Sequence, residues 1–212
     1  MSLPDLQSAF AQAWSDPDNL SLEAPPLDVN AVLADRYILA EPLAFTRTML
    51  WDMEVRKARR PDLFIPSVVE KGSARAWVPE EWKCAGGDQF VRTSNQPDWD
   101  DPERVYRVIE QVHLDHDARK VTFIGVSEVE DDTGTLVEAG EGRPLFHVEH
   151  GTSGEEERPL NTWRWTFESP EDRGHLKALI EERAANGGRL PEYVEVYIRD
   201  VLGIGLEFNQ PS

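Results

Sequence analysis

The sequence predicts an α+β fold in one domain, with a curved antiparallel sheet in the middle of the chain and helices at both ends. Three observations carry this. Arg104–Asp115 and Lys120–Glu130 alternate like strands and are joined by the short turn His116-Asp117-Ala118-Arg119. Arg143–His150 and Leu160–Glu168 repeat the pattern around the acidic loop GTSGEEERP. The end of the chain then switches to helical spacing, with Leu176, Leu179, Ile180 and Arg183 on one face.

The elements follow in order. Residues 4–15 suit a short amphipathic helix, and SDPDNLSLEAPPLD reads as a loop. Asp28 is placed to cap a helix running through Arg36. Tyr37–Phe45 suits a strand with an unpaired edge at Pro42. Thr46–Arg60 holds good helix formers and stops before Pro61. A strand is expected around Ala74–Lys83, a turn at Gly86-Gly87, a further strand at Gln89–Ser94 and a loop over Asn95–Glu103. Near the end, Ser169 and Pro170 offer an N-cap and a first helical residue, and Asn186-Gly187-Gly188 ends that helix. A second helix from Pro191 to about Leu202 turns Tyr193, Val194, Tyr197, Ile198 and Val201 to the core.

The first hairpin has a register that can be tested. With Asp117 and Ala118 as the loop residues, Asp115 faces Lys120 and Arg107 faces Glu128, two opposite-charge pairs on one solvated side. The other side carries Tyr106, Val108, Val112 and Leu114 against Val121, Phe123, Ser127 and Val129. A slip of one residue would break both patterns. Glu110 then lies on the apolar side, opposite Gly125 and diagonal to Ser127. A carboxyl group there needs a partner, because burial disfavours its charge. One reading makes it a general acid or ligand-gripping group in a cavity, with the bare Gly125 leaving room. The other makes it a structural glutamate paired with an arginine from elsewhere, or turned outward by a bulge.

In the second hairpin Trp163, Trp165 and Phe167 share a face, and Phe146, Val148 and His150 form the apolar set of the first strand. Adjacent tryptophans serve as core or as walls for a flat hydrophobic ligand. His150 is either a partly exposed histidine without a role or a residue at the rim of such a cavity. His113 with His116, and His147 with His150, stand three apart on strands and so point to opposite faces. No metal site is expected from them, and no cofactor motif is present.

Composition narrows the classes further. Over 212 residues, 22 basic and 40 acidic side chains leave a formal charge of −18, which repels phosphate backbones and anionic lipid heads. Nucleic acid and membrane are therefore not expected as partners. Cys84 stands alone, so no intramolecular disulfide can form, and a reducing cytoplasm is expected. No signal peptide and no membrane-spanning run is visible. The sequence leaves homodimerisation open.

Set in order, a strand, helical material, about six antiparallel strands and a closing helix resemble the START-like helix-grip superfamily. There a curved sheet of about six to seven strands wraps a C-terminal helix around a cavity. The resemblance covers residues 37–202, with Leu50-Trp51-Asp52 early and the closing helix late; residues 1–36 would be an N-terminal helical extension of the single domain 1–212. It implies relatives among polyketide cyclase/dehydrase-like proteins, and so binding of a hydrophobic or aromatic small molecule, with cyclisation, dehydration or aromatisation by acid–base chemistry. Glu110 would be the acid or base, Tyr106 and Ser127 hydrogen-bonding helpers, and Phe123, Trp163 and Trp165 cavity walls. Two alternatives remain: a non-catalytic carrier or sensor using the same cavity, and an acidic inhibitor-like module that docks on a basic partner.

Overall fold

The computed structural model describes residues 3–85, 88–98, 101–142, 144–185 and 190–209. Helix α1 (Leu6–Ser15) is capped by Asp5. Strands β1 (Leu20–Glu23) and β2 (Leu27–Asp28) lead into α2 (Val29–Arg36), where Asp28 accepts from the Ala31 N–H as expected of an N-cap. Strand β3 (Tyr37–Leu39) precedes α3 (Arg47–Arg59), capped by Thr46, and the single turn α4 (Pro61–Phe64). Then come β4 (Arg75–Trp77), a 3₁₀ turn at Glu80–Ala85, β5 (Gln89–Pro97), β6 (Val105–Asp115), β7 (Lys120–Gly125), β8 (Glu128–Glu130) and β9 (Leu136–Glu138). Strands β10 (Phe146–Glu155) and β11 (Arg158–Phe167) follow. The chain closes with α5 (Arg173–Ala185), α6 (Leu190–Val196), a π turn at Tyr197–Val201 and β12 (Leu206–Phe208).

The main sheet is antiparallel, in the order β1-β11-β10-β7-β6-β5-β4, with β2 also against β11. β1 sits beside β11, so the start of the chain returns to its last long strand. Residues 20–23, read from sequence as part of a loop in a helical extension, are thus an edge strand of the sheet. Their short alternation, Leu-Ser-Leu-Glu, is supported by long-range pairing that local sequence does not reveal. The Tyr37–Phe45 strand is also revised. Only Tyr37–Leu39 is extended, and it pairs with β12 outside the main sheet.

The hairpin register holds where it was most specific. Asp115 faces Lys120 and Glu110 faces Gly125. It fails beyond Gly125: β8 leaves the sheet to pair with β9, so Glu128 faces Glu138, and the Gly140 N–H donates to the Arg107 carbonyl at 2.9 Å in its place. The cause is a close approach. A Cβ on Gly125 would lie 2.5 Å from the Phe146 carbonyl oxygen, so β10 crowds β7 there and the chain turns away. Gly125 is bare for that contact, and not to leave room for Glu110.

The expected solvated outer face is covered instead. The β8–β9 ribbon lays Val129 and Val137 over Trp77, Trp82, Val91 and Ile109. α1 lays Leu6 and Phe10 over Ile124. The second hairpin runs on through the segment read as an acidic loop, with Glu155 facing Arg158 across the turn. Finally, α5 starts later than expected: Asp172, not Ser169, accepts from a first-turn N–H, that of His175. The turns at Gly86-Gly87 and Asn186-Gly187-Gly188 lie outside the described residues.

Candidate functional site

The inner side of the sheet is closed by α3, α5 and α6, and a cavity of about 150 Å³ remains between them. Its apolar walls are Phe123 of β7, Phe146 and Val148 of β10, Trp163 and Trp165 of β11, Ile180 of α5 and Tyr193 of α6. The residue pairing explains the wall: Phe146 faces Phe167, Val148 faces Trp165 and His150 faces Trp163, all on one side of the hairpin. Trp163 and Trp165 meet edge to face with centroids 5.5 Å apart. Ile65, Val68, Arg183 and Ala184 are half-buried and mark where the cavity meets the surface.

Arg92, Glu110, His150, Gln96 and Arg183 bring polarity to this mostly apolar space. Glu110 is buried, as expected, and Arg92 from the neighbouring strand is its partner: Nε donates to Oε2 at 2.7 Å. Arg92 also donates from Nη1 to the Ala58 carbonyl at 2.9 Å, tying the pair to the C-terminal end of α3, and its guanidinium lies 4.2 Å from the Phe123 ring centroid. Nη2 of Arg92 and Oε1 of Glu110 have no hydrogen-bond partner among the described residues.

His150 joins the cavity to a second buried ion pair. Lys57 Nζ lies 2.6 Å from Glu54 Oε2 and 2.7 Å from His150 Nδ1. Asn161 Nδ2 donates to Glu54 Oε1 at 3.0 Å, and Trp163 Nε1 donates to Asn161 Oδ1. The His150 ring stacks on Trp163, with centroids 5.1 Å apart. Burial, then the Lys57 charge, pull the imidazole down to about 4, so it is neutral at pH 7. Burial also pulls the Lys57 ammonium down to about 8, against the opposing pull of Glu54. For Glu54 burial acts upward, but Lys57 and His150 together outweigh it and hold the carboxyl at about 2.

The structure thus brings together Glu110, Phe123, His150, Trp163 and Trp165. His150 is more deeply placed than the rim position expected. Tyr106 and Ser127 are absent from the lining: Tyr106 sits further along β6 against the Gly140 segment, and Ser127 lies beyond the end of β7. Sequence reading missed Arg92, Glu54 and Lys57. A signal for the last two existed, since Leu50, Met53, Glu54, Lys57 and Ala58 form one buried stripe of α3. Two charges three apart within an apolar stripe mark a buried pair. Among the described residues no cluster of His, Cys, Asp and Glu is placed to hold a metal ion, and no helix is long and apolar enough to cross a membrane.

No protein-family profile and no curated protein matches the chain. Solved structures do. The Zhui aromatase/cyclase from a Streptomyces species superposes with a TM-score of 0.51 at 14% identity, over 85% of this chain and 95% of that one. The di-domain aromatase/cyclase of the steffimycin pathway gives 0.48 at 11%, over 87% of this chain and 46% of its own. A major latex-like protein from Panax ginseng gives 0.47 at 12%, over 84% and 97%. At these identities the likeness is one of fold. The chain has the helix-grip fold: an antiparallel sheet of seven to eight strands with a C-terminal helix closing its inner side.

Proposed function

We propose that the protein binds a flat, oxygen-bearing hydrophobic small molecule in this cavity and acts on it by acid–base chemistry of the cyclase or dehydratase type. The observation that carries the reading is the placement of Arg92, Glu110 and His150, with Gln96 and Arg183, on the wall of a mostly apolar pocket. The volume sets the scale. A dry cavity of about 150 Å³ accepts one benzene-sized ring. A larger ligand would reach out between α5 and Ile65.

In this reading Phe123, Trp163 and Trp165 sandwich the ring. Nη2 of Arg92 donates to a ligand oxygen that gains negative charge, and Oε1 of Glu110 takes or returns the proton. Tyr106 and Ser127 have no part in it. Saturable quenching of tryptophan emission by benzaldehyde tests the binding, with Ala184→Trp at the mouth as the blocking variant. Quenching that is absent, or unaffected by Ala184→Trp, overturns the proposal. Native mass spectrometry of the purified protein identifies any co-purified molecule. Incubation with that molecule then separates catalysis from carriage: a product formed by the wild type and lost in a folded Glu110→Gln variant supports the chemistry.

The carrier reading rests on one specific observation, that the carboxylate is already engaged by Arg92 at 2.7 Å. It predicts saturable binding with no product. The acidic docking module would instead show no small-molecule binding and a salt-sensitive protein complex.

A further inference from the structure

The pair Glu54–Lys57 lies behind the cavity wall, and acid–base chemistry at Glu110 makes no use of it. The Lys57 ammonium lies 2.6 Å from Glu54 Oε2 as an ion pair, 2.7 Å from His150 Nδ1 and over the face of Tyr193, whose centroid is 4.2 Å away. An ammonium has no lone pair, so the 2.7 Å contact is a hydrogen bond only when His150 Nδ1 is the acceptor. The alternative, Nδ1–H donating to Glu54 Oε2, has 3.4 Å to span. The shorter contact decides the tautomer.

The ring is also fixed in orientation. Glu54, Asn161, Trp163, His150 and Lys57 form a closed circuit of contacts, in which Trp163 both stacks on the imidazole and is anchored through Asn161 to Glu54. The other groups facing His150 are the Phe123 ring of β7, edge on at 5.4 Å, and the Arg92–Glu110 pair across the cavity. Nε2 has no hydrogen-bond partner among the described residues.

We propose that Glu54 and Lys57 are positioning residues that hold His150 as the neutral tautomer protonated on Nε2, so that the cavity presents a neutral N–H donor and selects a ligand bearing an uncharged acceptor oxygen, as in an aromatic aldehyde, ketone or quinone. The neutral state follows from the same surroundings: a third cation beside Lys57 and Arg92, in a site this buried, is disfavoured. The selectivity rests on the ligand-binding reading above; the tautomer does not.

The experiment therefore has two arms. In the first, long-range ¹H–¹⁵N correlation on the ligand-free protein at pH 7 reads which nitrogen of His150 carries the proton. The Nε2–H pattern is expected. In the double variant Glu54→Gln/Lys57→Met, which leaves no unpaired buried charge, the preference should vanish and a mixture of tautomers appear. An Nδ1–H pattern in the wild type, or an unchanged pattern in the double variant, overturns the proposal. In the second arm, calorimetry compares benzaldehyde with toluene, two rings of one size. The wild type should prefer benzaldehyde, and His150→Phe, which keeps a ring on Trp163, should lose roughly 2- to 10-fold in benzaldehyde affinity while leaving toluene unchanged. Equal losses for both probes overturn the selectivity. Failure of both to bind refutes the cavity reading and the selectivity with it, while the spectrum still decides the tautomer.

Discussion

Replacing Arg92 by methionine tests the energetic logic of the site. Arg92 and Glu110 retain 7% and 2% of their surface, and their charged atoms meet at 2.7 Å. The methionine keeps much of the side-chain volume but strands the Glu110 carboxylate in an apolar wall. Breaking a buried pair from one side costs about 3–5 kcal/mol. The Ala58 carbonyl at the end of α3 loses its donor as well, worth about 1 kcal/mol. For a chain of 212 residues the combined loss of roughly 4–6 kcal/mol corresponds to a fall in Tm of about 8–24 °C. Glu110→Gln should cost less, about 1–3 kcal/mol, because Arg92 keeps a neutral acceptor and the helix carbonyls. The double variant Arg92→Met/Glu110→Met should recover most of the loss, since no charge is left unpaired. Urea and thermal unfolding of the three variants provide the check. An Arg92→Met variant within about 1 kcal/mol of wild type would refute the argument, because it would mean that water reaches the carboxylate.

Two further outcomes are expected. His150 has a folded value of about 4 against an ordinary 6.5, so between these pH values the unfolded chain binds a proton that the folded chain refuses, and stability falls as pH drops through that window. From pH 6.5 to 5 this amounts to about 2 kcal/mol; Glu54, held at about 2, extends the loss below 4.5. His150→Phe should flatten the upper part of the curve in denaturant titrations at pH 7 and pH 5, and an unchanged slope would contradict the placement of His150. Gly125→Ala puts a Cβ 2.5 Å from the Phe146 carbonyl oxygen, so backbone must shift, at about 1–3 kcal/mol by equilibrium unfolding; a neutral substitution would refute the crowding of β7 by β10.

What could be read from sequence was whatever short-range pattern determines. The β6–β7 register was legible because its turn is short and a slip would invert every side chain, which is why Glu110 was placed opposite Gly125. The inner face of the β10–β11 hairpin was legible from alternation alone, which put His150 and Trp163 on apolar faces; that they stand opposite each other is set by the register. What failed depends on partners remote in the chain. Arg92 finds Glu110 only once β5 pairs with β6, and Glu54 is satisfied by Asn161, which lies 107 residues away. The β7 strand ends where β10 crowds it, a contact invisible in the run from Lys120 to Glu130. Leu20–Glu23 likewise becomes a strand only because β11 offers it an edge.

Helix α5 forms one wall of the cavity, yet of its thirteen residues from Arg173 to Ala185 only Ile180 is buried. That isoleucine contributes about 1.5–3 kcal/mol of burial, with lesser packing from Leu176 and Ala184 and with Arg173 donating to the carbonyls of Pro17, Asp18 and Asn19. An element with so little buried surface is expected to open locally at a lower free energy than the sheet. Were an occupant bound against Ile180, Arg183 and Ala184, its residence time would depend on how often this helix opens as well as on the grip of the strands. An occupant that fills the gap beneath Ile180 would in turn lengthen the helix's own dwell in place, so cargo and closure prolong each other.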